Sequence, residues 1–124
     1  MKLPIMKTQI NHSGKIITVA KDADAMIALD YATAQPEQLW EYEIPNSEYD
    51  LLLTSTIIDQ INKICNSMID DYEDEMIKDL SKLNAALLYL QNEERSPETE
   101  NILRILVDMF LKAINSKTAI YFYF

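Results

Sequence analysis

The chain has 124 residues, 48% of them hydrophobic and 25% charged, and a net charge of −9. That is the size of one domain with enough apolar residues to bury a core, so a single domain over 1–124 is expected. Cys65 is the only cysteine, which excludes an internal disulfide and a cysteine-based zinc site. No basic start leads into an apolar stretch and cleavage site, and no apolar run approaches the ~18 residues that span a bilayer; a cytoplasmic protein without membrane contact is expected.

The first 21 residues hold four lysines and no acid, and the charge signal of "PIMKTQI", "NHSGK" and "KIITVAK" is accordingly basic. β-Branched residues flank the only glycine, Gly14, where a positive φ would turn the chain, so a hairpin is expected here. His12, the only histidine, falls in that turn, far from any sequence context that would make it a catalytic base. "DADAMIALDYATAQP" is rich in alanine, with Asp22 or Asp24 placed to cap and Pro36 beyond the end. It reads as a short helix, with a strand at "AMIALDY" as the alternative. "QLWEYEIP" alternates: Trp40, Tyr42 and Ile44 share one face and Glu41 and Glu43 the other, a half-buried strand stopped by Pro45.

From Asn46 to Ser96 there is no glycine or proline, and apolar residues recur at 57, 61, 64, 68, 72, 76, 80, 83, 87 and 90. That spacing predicts helix throughout. Cys65, between Ile64 and Met68 on the apolar stripe, is expected as a buried thiol. One helix over 47–91 would be roughly 67 Å long, whereas a domain of this size has a radius of gyration near ~14 Å. A break is therefore expected within "NSMIDDYED", with Asp70 and Glu73 as a capping box and the acidic run opening the second helix; a continuous helix in a dimer is the alternative. A last helix begins with Ser96 as cap and Pro97 at the first position, runs through "NILRILVDMFLKAI" and closes at Asn115 and Lys117. Apolar on most sides, it is expected to be central. "TAIYFYF" carries no charge and is expected to dock into a sheet as an inner strand or to form a dimer contact. The fold class is therefore α+β: a small, mostly antiparallel sheet from the hairpin, a strand near 38–44 and a strand over 118–124, with three main helices packed on one face.

"DDYEDEM", residues 70–76, is the densest chemical feature. An EF-hand is excluded because its loop needs a glycine that is absent here, and a carboxylate-bridged metal pair needs histidines the chain lacks. One glycine and one histidine likewise exclude phosphate loops, a nucleophile elbow and a Ser/His/Asp set. No catalytic, metal or cofactor residue is assigned, and no enzyme activity is expected.

Context gives the run its meaning. Residues 22–75 carry fourteen acids against Lys63 alone, a net −13, and residues 76–124 carry six charges of each sign. Tyr31, Trp40, Tyr42, Tyr49 and Tyr72 interleave with these acids, and partly exposed aromatics anchor interfaces. Nucleic acid would be repelled by such a surface and a basic protein attracted to it. The expected function is a non-enzymatic module that neutralises a basic partner, as an immunity or antitoxin protein does a nuclease-type toxin, or as a nucleic-acid mimic does its target. Glu41, Tyr42, Glu43, Asp70, Asp71, Tyr72, Asp74 and Glu75 are the expected partner-binding residues. The competing expectation is a structural or regulatory homodimer built on the last helix and "AIYFYF", with the acids serving solubility.

Overall fold

The computed structural model describes residues 12–71 and 73–124. In chain order it contains β1 (His12–Ala20), α1 (Ala23–Asp30), a 3-10 turn (Pro36–Gln38), β2 (Leu39–Pro45), α2 (Asn46–Thr54), α3 (Ile57–Cys65), β3 (Glu75–Ile77), α4 (Leu80–Asn92), α5 (Glu100–Ser116) and β4 (Ile120–Tyr123). The fold is α+β. Its four strands form one antiparallel sheet in the order β2-β1-β4-β3.

The first arm of the expected hairpin lies outside the described residues. Its second arm is β1, whose two edges over Ile16–Val19 are taken by β2 and β4. The expected turn is a bulge from His12 onward: between the pairs His12↔Pro45 and Ile16↔Glu43, β1 advances four positions and β2 two. Gly14 sits in that bulge at φ +79°, where a side chain would be strained. α1 forms as expected, with Asp22 accepting a hydrogen bond from the Ala25 N–H at 2.8 Å.

The expected single break in the long helical segment is instead two interruptions. The first follows Thr54, where Ser55 leaves helical geometry (φ −86°, ψ 177°). Its hydroxyl donates to Leu52 O and accepts from the Ile57 N–H, so "TST" substitutes side-chain bonds for backbone ones. The second follows Cys65: Asn66 takes the left-handed conformation (φ 52°, ψ 46°) that closes a helix, and Asn does this at less cost than most residues. The acidic run therefore does not open a helix. Asp70, Asp71, Glu73 and Asp74 lie in a loop that leads into the edge strand β3, which takes up Glu75 and Met76, and α4 starts later, capped by Asp79 through the Lys82 N–H. Asp70 does accept from the Glu73 N–H at 3.0 Å, which is the bond a cap would make, but the chain turns there without entering a helix. Sequence periodicity cannot see this, because Met76 and Leu80 keep helical spacing while lying on a strand and at a helix start.

The last helix starts three residues later than expected. Ser96 O accepts from the Thr99 and Glu100 N–H groups, so Pro97 opens a separate turn and Thr99 is the N-cap of α5. Lys117 closes it at φ 58°. α5 is central: Ile102, Leu103, Leu106, Met109, Phe110 and Ala113 are all buried. They meet Ile17, Val19, Ile44, Ile120 and Phe122 from the sheet together with buried residues of α2, α3 and α4 in one apolar core. Cys65 is buried as expected, and "IYFY" is an inner strand between β1 and β3.

Candidate protein-binding face

Alternation along the strands divides the sheet into two chemically different faces. On the core face, Val19, Ile120 and Ile77 lie in one row with Trp40, and Ile17 and Phe122 lie in the next with Tyr42. On the outer face one row reads Glu41, Thr18, Tyr121, Met76, and the neighbouring row reads Glu43, Ile16, Tyr123. Continuing the β3–β4 register by one position brings Asp74 beside Tyr123. The C-terminal "YFYF" thus segregates its hydroxyl-bearing rings to the outer face and its phenylalanines to the core.

The two outer tyrosines are stacked, with ring centroids 5.9 Å apart and planes 15° from parallel. Tyr121 donates to Asp30 Oδ1 at 3.3 Å, which brings the end of α1 to the border of this face. Burial, then Asp30, push the Tyr121 phenol upward; burial, then Asp74, Asp30 and Glu41, do the same to Tyr123. Both hydroxyls remain protonated donors at neutral pH. Carboxylates from α1, β2 and the acidic loop therefore converge on one aromatic pair. Asp30, Glu41 and Asp74 are exposed, Tyr123 is half-buried and Met76 is 37% exposed. Tyr31, next to Asp30, is 76% exposed.

The eight expected partner-binding residues separate into groups. Glu41, Glu43 and Asp74 are exposed and belong to the outer face. Tyr42 lies on the opposite face of β2, where its hydroxyl donates to Glu48 Oε1 at 2.6 Å and Asn101 Nδ2 donates to Glu48 Oε2 at 2.6 Å. Burial, then that bond to Glu48, push the Tyr42 phenol up to about 12. Asp71 is tied inward: Tyr49 donates its hydroxyl to Oδ1, and Lys15 Nζ lies 3.4 Å from the same oxygen. The Tyr49 bond, assisted by Lys15, holds the Asp71 carboxyl below the usual range. Lys15 also donates to Phe124 O and lies 5.5 Å from the Tyr49 ring centroid, so Asp71 pins the acidic loop to β1 and the chain end.

Glu75 and Asp70 also have local work. Glu75 Oε1 accepts from the Met76 N–H at 2.9 Å and Oε2 from the Met68 N–H at 2.7 Å, so this carboxylate occupies the edge of β3. Asp70 is half-buried and makes the turn bond to Glu73. Tyr72 lies outside the described residues. Of the other aromatics, Tyr49 is buried edge-on to Phe124, and Trp40 packs on the core with Lys21 and Lys112 Nζ 5.6 and 5.4 Å from its ring centroid.

Beside β3 a cleft of about 290 Å³ is lined by Cys65, Asn66, Ser67, Glu75, Met76, Ile77, Lys78, Asp79 and Lys82. The Cys65 thiol donates to Lys82 O, and burial pushes its pKa up, away from nucleophilic character. Among the described residues no three His, Cys, Asp or Glu side chains converge to hold a metal ion, and no helix is long and apolar enough to cross a membrane.

Asp30, Tyr121 and Tyr123 were not foreseen as site residues. The alternation of tyrosine with phenylalanine in "YFYF" was the available signal, since a strand with one hydroxylated and one plain aromatic face has one face meant to meet polar groups. Comparison with protein-family models, curated proteins and solved structures finds no match to this chain.

Proposed function

We propose that this protein is a non-enzymatic acidic module that neutralises a basic protein by covering its nucleic-acid-binding or catalytic surface, the role of an immunity or antitoxin protein toward a nuclease-type toxin or of a nucleic-acid-mimicking inhibitor. The observation that carries the reading is the deployment of charge. Of the fourteen acids in 22–75, eleven are exposed and the others, Glu48, Asp70 and Glu75, are half-buried; none is buried. Like charge held this way disfavours the compact state and accelerates encounter with a cationic partner.

The competing homodimer reading drew on α5 and "AIYFYF". Both are used inside one copy: α5 is buried against the core, and Ile120, Tyr121, Phe122 and Phe124 are buried. The test is affinity capture from the source cell at low and high salt, followed by a nucleic-acid-binding or cleavage assay of the protein captured. Capture of a basic, nucleic-acid-acting protein that is released by salt and inhibited by one equivalent of this chain supports the reading. Capture of only this chain's own copies, undiminished by salt, supports the homodimer instead.

A further inference from the structure

We propose that α4 is the contact surface of a symmetric dimer, in which it lies antiparallel on α4 of a second copy of this chain. The inference goes beyond the acidic-module reading and uses none of the acids in 22–75, so either can fail alone. It also differs from a homodimer built on the last helix and "AIYFYF", because α4 belongs to neither.

Seven residues of α4 are exposed and none of them is charged. Exposed positions on the neighbouring helices carry charge: both exposed residues of α3, Asp59 and Lys63, are charged, and α5 exposes Glu100, Arg104 and Asp108. Leu83, Ala86 and Leu90 turn α4 toward the core, while Leu80 and Leu88 are 57% and 62% exposed. A single exposed leucine is ordinary. An uncharged helix face with two of them, on a molecule of net charge −9, is apolar surface left to be covered.

The features of that face complement one another about its middle residue, Asn84. A two-fold axis there sets Leu88 of each copy, four residues to one side, against Leu80 of the other, four residues to the opposite side. Beside Leu80 lies a pocket of about 260 Å³, lined also by Lys78, Leu83, Ala113, Lys117 and Thr118, with room for a leucine side chain. Asn84 Nδ2 donates to Leu80 O at 3.1 Å and puts a polar group at the axis, a device that fixes register between paired helices.

Charge selects the antiparallel orientation and the second copy. At the start of α4, Lys78, Lys82 and the adjoining Lys117 outnumber Asp79, whose carboxylate is taken by the Ser81 hydroxyl and the Lys82 N–H. At its end, Glu93 and Glu94 outnumber Arg95. An antiparallel pair brings each basic end to the other copy's acidic end, whereas a parallel pair joins like ends. A basic partner gains nothing from an uncharged middle with lysines beside it, and a copy of the same chain supplies both matching ends.

Sedimentation of the full chain at ~2 and ~200 µM brackets the micromolar affinity expected of a contact at the small end of specific interfaces. The mass is expected to rise from 14.3 kDa toward twice that, and to do so at about 0.5 M salt as well, because the centre of the contact is apolar. Leu88→Lys sets an ammonium against the lysines of the pocket and is expected to weaken the dimer at least tenfold; Leu53→Lys, at an exposed leucine on α2, is expected to weaken it less than about twofold. Lys78→Glu and Glu94→Lys are each expected to weaken it about threefold, and the chain carrying both to recover, since the opposite charges are only exchanged. Thermal unfolding confirms that the variants fold, and Leu88→Asn replaces Leu88→Lys if that one does not. A mass fixed at 14.3 kDa through the range overturns the dimer; if Leu88→Lys then weakens capture of another protein, the face belongs to that protein. A dimer weakened equally by Leu88→Lys and Leu53→Lys overturns the surface. One that the double exchange leaves as weak as the single changes overturns the antiparallel orientation.

Discussion

Neighbouring carboxylates in "DDYEDEM" have unlike fates, and the difference is set by what each one touches. Asp71 accepts from Tyr49 and Lys15 and its pKa is depressed; Asp74, three residues on, faces solvent beside Tyr123. A carboxylate whose folded pKa lies below its unfolded one contributes stability above the unfolded value, near ~3.9, and loses it as pH falls through the folded one. Asp71→Asn is therefore expected to lower the thermal midpoint at pH 7, with the gap to the unaltered chain closing below about pH 4. Asp74→Asn should leave the midpoint at pH 7 unchanged or slightly higher. A pH series of melting curves on the two variants checks both. Tyr42 has the opposite sign: its pKa is raised to about 12, so the folded state holds a proton that the unfolded chain releases near ~10. Stability from this group is complete below pH 10 and declines between pH 10 and 12, and Tyr42→Phe should flatten that part of the decline while costing about 1 kcal/mol at neutral pH. At this scale the sequence was partly legible. Alternation put Glu41 and Glu43 together and Tyr42 opposite them, but which of five clustered acids would be bonded depended on partners far away in the chain, Lys15 and Tyr49.

Elements with a local signature were readable: α1 from its aspartate cap, β2 from alternation and β4 from its β-branched and aromatic run. The segment 46–96 was misread in its middle because helical spacing of apolar residues continues through a loop and an edge strand. Hydroxyl side chains in "TST" and the helix-closing Asn66 were the signals that outweighed it. Asn62 then fixes the loop: its Oδ1 accepts from the Ile69 N–H and the Ser67 hydroxyl, and its Nδ2 donates to Ile69 O. Asn62→Ala strands those backbone groups and should cost about 2 kcal/mol in denaturant unfolding. Glu75 closes the edge of β3 by taking the Met76 N–H that another strand would use. Glu75→Ala reopens it, and sedimentation should then show concentration-dependent self-association beyond that of the unaltered chain. Identical sedimentation would mean that the edge is guarded by its shortness instead.

Over the whole molecule, the distribution of charge along the sequence translates into a distribution in space through the sheet. The acidic loop is distant in the chain from α1 and β2, yet β1 and β4 bring carboxylates of all three near one pair of tyrosines. The core was legible as a central apolar helix over a small sheet. The face was not, because it needs the strand order, and strands legible in the N-terminal segment, near 38–44 and over 118–124 do not say which lies between which. If the face binds a basic partner, encounter is steered by the field of the exposed acids and the complex weakens as salt screens it. The most direct measurement is the anisotropy of a labelled oligonucleotide bound to the basic protein captured from the source cell, followed as this chain is added. Displacement complete near one equivalent at about 0.15 M salt and weakened at about 0.5 M is the predicted result. An oligonucleotide that stays bound through excess of the unaltered chain at low salt would contradict it.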